Sequence, residues 1–319
     1  MKKCLKKSAL LFFFLTSFLL LLGDSKQSVL FASRGLILWF EKMIPTLFPF
    51  MVLSGCIVKN GLSVKIGDFF HPMLLSFRIS SPMCYAIVMG SLCGFPMGAK
   101  IISDLLETKQ ITKKQGEYLL AFTNNIGPLY LLSYVFPLFK IEKKAFYLCM
   151  FYLIPLIYGL LLRYFTPYKT IMNTNEINLK EAAADNTLPF NIIFFHSLYG
   201  AIEQITLLGG CMIIFNWMQI FPYYLQIYFP FLLGNKETAF FSFGFLCSLI
   251  EIGGGICQFS TANSTCNLLP IVFLLLTFGG LSCFFQTSFI IEKTGLSIKK
   301  YLFHKTIQAS LIFFFLIII

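Results

Sequence analysis

The stretch CYAIVMGSLCGFPMGAKIISDLL, residues 84–106, decides how this chain is built. Its length lets a helix cross a hydrocarbon layer of ~30 Å. Its centre, Gly94-Phe95-Pro96-Met97-Gly98, works against a continuous helix. Pro96 has no amide hydrogen to donate, and Gly94 and Gly98 admit dihedrals closed to other residues. Two readings follow. The stretch is a kinked span packed among other helices, or a hairpin whose helical legs of ~10 residues dip to half-depth and return. A hairpin tip would leave amides and carbonyls facing inward, where they can hold an ion or a polar solute.

The surroundings of this stretch settle its solvent. Of 319 residues, 57% are hydrophobic and 12% are charged, about half the charge density of a soluble domain. Further apolar runs occupy residues 10–22, 35–58, 118–139, 145–164, 190–221, 238–259, 267–291 and 301–319. The chain is therefore an all-α, polytopic membrane protein, with the lipid bilayer as its first partner. Lys2, Lys3, Lys6 and Lys7 precede the first run, and no A-x-A-like cleavage site follows it. Residues 1–34 are thus expected to be a retained signal-anchor helix and a short loop.

The net charge of +11 resides in short loops between apolar runs and forms no stripe, which speaks against a nucleic-acid partner and marks topology. If all nine elements span with a cytoplasmic N-terminus, 15 basic loop residues lie inside and 9 outside. If runs 84–106 and 238–259 instead return to their own side, the split becomes 18 inside against 6 outside. Basic loops are retained in the cytoplasm, so the hairpin arrangement obeys the rule better, with Lys140, Lys143 and Lys144 still on the wrong side. The expected location is the cell membrane, multi-pass, with the N-terminus cytoplasmic.

Around a polar connection, residues 166–189, the two halves 35–165 and 190–319 follow one order. Each opens with a helix bearing a lone carboxylate, Glu41 and Glu203. A glycine-interrupted run comes next, then a broken helix, then a plain apolar span. Three spans and one re-entrant hairpin per half would place the halves upside down relative to one another, as two inverted repeats following an N-terminal helix.

Corresponding interrupted segments mark a midplane site in such architectures. The candidate residues are Gly94, Pro96 and Gly98 at the first tip, and Asn124, Asn125, Gly127 and Pro128 in the break that follows. The second half offers Glu251, Gly253, Gly254 and Gly255, then Gly279, Gly280 and Gln286. The amides can read a polar ligand or bond neighbouring helices. Glu251 can carry a proton or Na⁺, accept from a solute, or serve as a hydrogen-bonded structural group. Gly279 and Gly280 read first as close helix packing. Glu41, beside Lys42, is a weaker candidate that a local pair or snorkelling would explain.

Ten cysteines are scattered without a C-x-x-C pair or a histidine at zinc-ligand spacing, so free thiols are expected, with no disulfide framework, metal or cofactor. His71, His196 and His304 read as isolated loop or interfacial residues. The chain lacks H-E-x-x-H, G-x-S-x-G and G-x-x-x-x-G-K-[ST], and an enzyme is not expected. Asn263-Ser264-Thr265 fits a glycosylation sequon, a pattern frequent by chance.

At GLILWFEKMIPTLFPF (35–50), GFPMGAK (94–100), FTNNIGPLY (122–130), IEIGGG (250–255) and FGGLSCFFQT (278–287), the chain resembles the YlbJ-type sporulation integral membrane proteins of endospore-forming Firmicutes. That family carries the nucleoside-recognition gate domain and is distantly similar to concentrative nucleoside transporters and to the gate segments of ferrous-iron transporters. The resemblance runs from about residue 35 to 297. It implies a role in spore cortex formation, a transporter-like gate core moving or sensing a polar solute such as a nucleoside, and two re-entrant hairpins. The triple glycine after Glu251 departs from a more polar family pattern, the connection between halves is short, and no GTPase domain accompanies the core, which argues against GTP-driven iron transport. A non-transporting scaffold recruiting cortex-assembly partners is the alternative. Oligomerisation is left open.

Overall fold

The computed structural model describes residues 2–74, 79–165, 188–229, 236–260 and 268–319, and the described residues form helices with no strand. Most of the polar connection 166–189 and the sequon at Asn263 lie outside them. The first helix, α1 (Lys2–Gly23), is followed after Asp24 by α2 (Ser25–Leu38). Residues 25–34 were expected as a loop and are helical instead. Asp24 caps them, its Oδ1 accepting from the amide of Gln27 at 3.1 Å, and a capping side chain of this kind satisfies an otherwise orphan donor. A π-helical turn, Trp39–Met43, then leads into α3 (Ile44–Lys59).

Among the described residues, six helical stretches are long and apolar enough to cross a membrane: Ser25–Lys59, Lys113–Leu138, Lys144–Leu162, Phe190–Tyr228, Leu269–Glu292 and Ile298–Ile318. Three fall in each half. Large side chains on them, including Phe40, Leu153, Phe195 and Phe314, are exposed. That surface suits hydrocarbon and not water.

Of the three remaining apolar runs, 84–106 and 238–259 reverse direction. In the first half, α4 (Leu62–Leu74) precedes α5 (Ser81–Cys93) and α6 (Met97–Glu107). A Cβ built on Gly90 would stand 3.3 Å from the Cα of Gly98, whereas eight residues of continuous helix would separate them by about 12 Å. The chain turns at Gly94, with φ +84°, ahead of a cis Phe95-Pro96 peptide. In the second half, α10 (Phe190–Met218) and α11 (Ile220–Tyr228) precede α12 (Lys236–Ile250) and α13 (Ile252–Ser260). These last two pair likewise: a Cβ on Gly244 would lie 3.0 Å from the Phe259 ring, and one on Gly255 only 2.3 Å from the Ser248 nitrogen.

Each hairpin is followed by a broken helix. α7 (Lys113–Thr123) stops at Asn124 and resumes at Pro128 as α8, which runs through Pro128–Tyr130, a π-turn Leu131–Val135 and Phe136–Leu138. α14 (Leu269–Phe278) and α15 (Gly280–Glu292) meet at Gly279 and Gly280, whose φ angles of +89° and +76° only glycine adopts cheaply. The plain spans are α9 (Lys144–Leu162) and α16 (Ile298–Ile318).

The two opening helices of the halves pack on one another. A Cβ on Gly35 would strike the Met212 carbonyl at 2.4 Å, one on Gly209 would strike the Trp39 ring at 2.4 Å, and Trp39 Nε1 donates to the Ile205 carbonyl at 2.8 Å. Lipid gives apolar side chains no incentive to associate, so close backbone approach at small residues is the way such helices hold together. At one end of the bundle Lys300 pairs with Glu117 at 2.6 Å, and a Cβ on Gly295 would lie 3.1 Å from Lys113 Nζ. Elsewhere Tyr224 donates to Asp24, beside the ring contact of Phe31 with Tyr223.

Candidate functional site

Each hairpin tip rests in the break of the helix that follows it. A Cβ on Gly94 would stand 2.3 Å from the Gly127 nitrogen, and one on Gly98 would stand 2.8 Å from the Cα of Asn124. In the second half a Cβ on Gly280 would lie 2.8 Å from the Ser248 carbonyl oxygen and 3.0 Å from that of Leu249. Gly94, Gly98 and Gly280 are thus places where backbone meets backbone, and no side chain fits.

The first break is filled by polar groups from the other half. Asn124 accepts from the amide of Ala99 at 3.2 Å and donates to Tyr301 at 3.1 Å and Thr287 at 3.3 Å. Asn125 donates to the Phe122 carbonyl and accepts from the ammonium of Lys305 at 2.6 Å. Gln308 donates to the Ala121 carbonyl at 2.5 Å. A broken helix leaves carbonyls unpaired and a partial negative charge at its C-terminal end. Gln308 supplies one missing donor, and Lys305 holds the Asn125 side chain beside it. Both Asn residues are buried, and so is Lys305, at 1% exposure.

Lys305 was counted with the cytoplasmic loop charges, and it sits inside α16. Lys100, counted with them too, is buried on α6 and paired with Asp104. His304 is likewise not a loop residue: it is buried, in hydrogen-bonding contact with the Tyr158 hydroxyl at 2.7 Å. The signal was present in the sequence as Tyr301, Lys305 and Gln308, spaced i, i+4, i+7 on one face of an otherwise apolar helix.

Glu251 caps the helix it precedes. Its two carboxylate oxygens accept from the amides of Gly253 at 3.0 Å and Gly254 at 2.7 Å, and from Asn216 Nδ2 at 3.0 Å. A carboxylate at a helix N-terminus meets the positive end of the dipole and three donors together, which offsets much of the cost of burying it. Gln219 donates to the Glu251 carbonyl at 3.4 Å and Tyr134 to that of Gly253 at 3.0 Å. Gly254 borders Asn216, and Gly255 borders Ser248. Asn216 and Gln219 went unremarked in the sequence because they close a long apolar helix.

Between these elements lies a cavity of about 290 Å³. Phe95 enters it from the first tip, Gly127 and Tyr130 from the first break, Glu251 and Gly253 from the second tip, and Gln286 from α15. Glu41 and Lys42, on the π-turn, stand at its exposed edge, and no ion pair joins them among the described residues. Of the candidates drawn from the sequence, Gly127, Glu251, Gly253 and Gln286 line this space. Gly94, Pro96, Gly98, Asn124, Asn125, Pro128, Gly254, Gly255, Gly279 and Gly280 build the surrounding frame. Among the described residues no cluster of His, Cys, Asp or Glu has metal-binding geometry. The described cysteines are free.

Over 125 residues, 39% of this chain, the sequence is 30% identical to the sporulation integral membrane protein YlbJ of Bacillus subtilis (strain 168). The aligned stretch spans 30% of that relative's length. No family model and no solved structure matches the chain. The observations converge on a multi-pass membrane protein, homologous over part of its length to a sporulation integral membrane protein, with a cavity framed by two helical hairpins.

Proposed function

We propose that this chain is a sporulation membrane protein with a transporter-like gate core that moves or senses a polar solute, a nucleoside being the class its resemblance implies. The carrying observation is the cavity, to which both hairpin tips and the helices broken beside them contribute. Its size is near the lower end of small-molecule sites, roughly 300–1,000 Å³. The two hairpins dip into the bilayer and return, making the halves inverted repeats with the N-terminus cytoplasmic. Two neighbour pairs support this. Glu117 and Lys300 lie together, as do Asp24 and Tyr224. Glu117 and Lys300 share a side of the membrane only if residues 236–260 turn back, and Asp24 and Tyr224 only if residues 81–107 do. Glu251 is the group best placed to couple movement to a proton or Na⁺, and cortex formation is the process served.

The test is reconstitution in vesicles with uridine, adenosine, Na⁺ and a proton gradient, beside rescue of heat-resistant spores in a host lacking its own copy. Flux or binding of a solute by wild type is expected; none for any solute overturns transport.

The scaffold reading has one observation in its favour. Asn124, Asn125, Glu251 and Lys305 all find protein partners, as groups serving only architecture would. It predicts that cavity substitutions leave spores intact while loop changes abolish them.

A further inference from the structure

The walls of the cavity are mostly apolar, Leu38, Met43, Ile126, Leu208 and Met212 among them. Three further lining residues stand outward at its open edge: Phe50 on α3, Leu92 on α5 and Leu129 on α8, at 41%, 57% and 53% exposure. Their depth follows from counting along the spans. Phe50 lies between Arg34 and Lys59, about 24 and 14 Å away along the helix. Leu129 lies between Lys114 and Lys140, about 22 and 16 Å away. Leu92 sits at the same level, because Gly94 of its hairpin rests on Gly127, just before Leu129. In a hydrocarbon layer of ~30 Å all three are well inside. The mouth of the cavity therefore opens into the oily part of the bilayer, where water-soluble molecules are scarce and lipid is abundant.

Two charges stand at the same mouth. Glu41 and Lys42 line it, both are exposed, and no ion pair joins either to a described residue. Ser133, also exposed, and Thr46 bring hydroxyls to the same edge. Lys42 is about 12 Å of helix inward from Arg34, and an ionisable group at such depth is costly unless a polar partner meets it. We infer that the cavity is loaded sideways from the bilayer by a lipid-like amphiphile. Part of its apolar chain lies between the walls, and its zwitterionic head lies against Glu41 and Lys42. A carboxylate beside an ammonium complements a head that carries both signs better than one that carries a single sign. The inference rests on the solute-site reading above and narrows it: the polar solute is a head group borne on a lipid chain.

The experiment places the full chain in vesicles containing phosphatidylethanolamine with a photoreactive diazirine at the end of one acyl chain. Leu208 and Met212 line the cavity and are each 4% exposed, so lipid around the outside of the protein does not reach them. Leu153, exposed on α9, reports that outer lipid. Light should label Leu208 or Met212 as well as Leu153. Thr46→Trp and Ser133→Trp each put an indole in the mouth and should cut labelling of the two inner residues about tenfold, with Leu153 unchanged. Glu41→Gln combined with Lys42→Met should do the same. Diazirine-bearing phosphatidylglycerol or diacylglycerol should label the inner residues about tenfold less than phosphatidylethanolamine does. The inference is overturned by inner residues unlabelled in wild type, by labelling that the indoles or the charge change leave intact, or by equal labelling from the three lipids. Uridine and adenosine flux is measured on the same vesicles. Flux that persists behind an indole means a solute taken from water, so this inference falls and the transport reading stands. Inner labelling without flux of either nucleoside leaves the inference in place and removes the nucleoside.

Discussion

The ammonium of Lys305 donates to Oδ1 of Asn125 at 2.6 Å, joining the last helix of the second half to the break in the first. Lys305 Nζ also lies 5.9 Å from the centre of the Tyr301 ring. Asn125→Ala should therefore cost about 2 kcal/mol, the scale of a hydrogen bond to a charged group whose partner stays buried. Removing both partners by apolar groups of similar shape avoids the orphaned charge. The pair Asn125→Leu with Lys305→Met should melt higher than Asn125→Leu alone, and a thermal melt in detergent reads the difference.

Glu251→Gln should destabilise, although it preserves shape. The carboxylate offers two accepting oxygens to Gly253, Gly254 and Asn216; glutamine keeps one and turns an N–H₂ toward donors. One buried donor left unmatched costs about 1–3 kcal/mol. The expected outcome is a lower melting temperature together with fewer spores, checked on the same preparation.

Gly94→Ala meets two obstacles. Its φ of +84° is unfavourable for alanine, and the added methyl would stand 2.3 Å from the Gly127 nitrogen, a backbone atom with no rotamer to yield. Strained dihedrals alone cost roughly 1–3 kcal/mol. Folded protein should drop sharply on size-exclusion chromatography, whereas Gly200→Ala, with nothing within 4 Å of the new methyl, should behave as wild type.

The proposed topology is tested by cysteines in a cysteine-free background. Glu117→Cys with Lys300→Cys should cross-link readily. Lys109→Cys and Lys300→Cys should react with an impermeant maleimide from one face, and Lys26→Cys from the other. Labelling of Lys109 and Lys300 from opposite faces removes the second hairpin, and labelling of Lys26 and Lys109 from the same face removes the first.

The breaks were legible residue by residue, because proline and paired glycines leave a local mark on a helix whatever surrounds them. Gly94-Phe95-Pro96 and Gly279-Gly280 interrupt the chain where their chemistry predicts. Asp24-Ser25 was equally local, yet a polar pair between apolar runs reads as loop until its capping bond is seen. Lys305 was misplaced for another reason. A lysine near the start of an apolar run is indistinguishable from a flanking charge until a partner such as Asn125, 180 positions away, holds it inside.

The amino-acid order determined the solvent, the helical class and the positions where helices stop, since each depends on a residue and its near neighbours. Only the folded molecule decided which stops meet: Gly94 on Gly127, Ser248 on Gly280, and Lys305 at the open end of α7. Those meetings join distant segments of chain, and whether a buried polar group is a ligand contact or a strut depends on what stands opposite it. Glu251 is matched by three donors, whereas the hydroxyl of Tyr130, eight positions beyond Phe122 in the same motif, is buried without a hydrogen-bond partner.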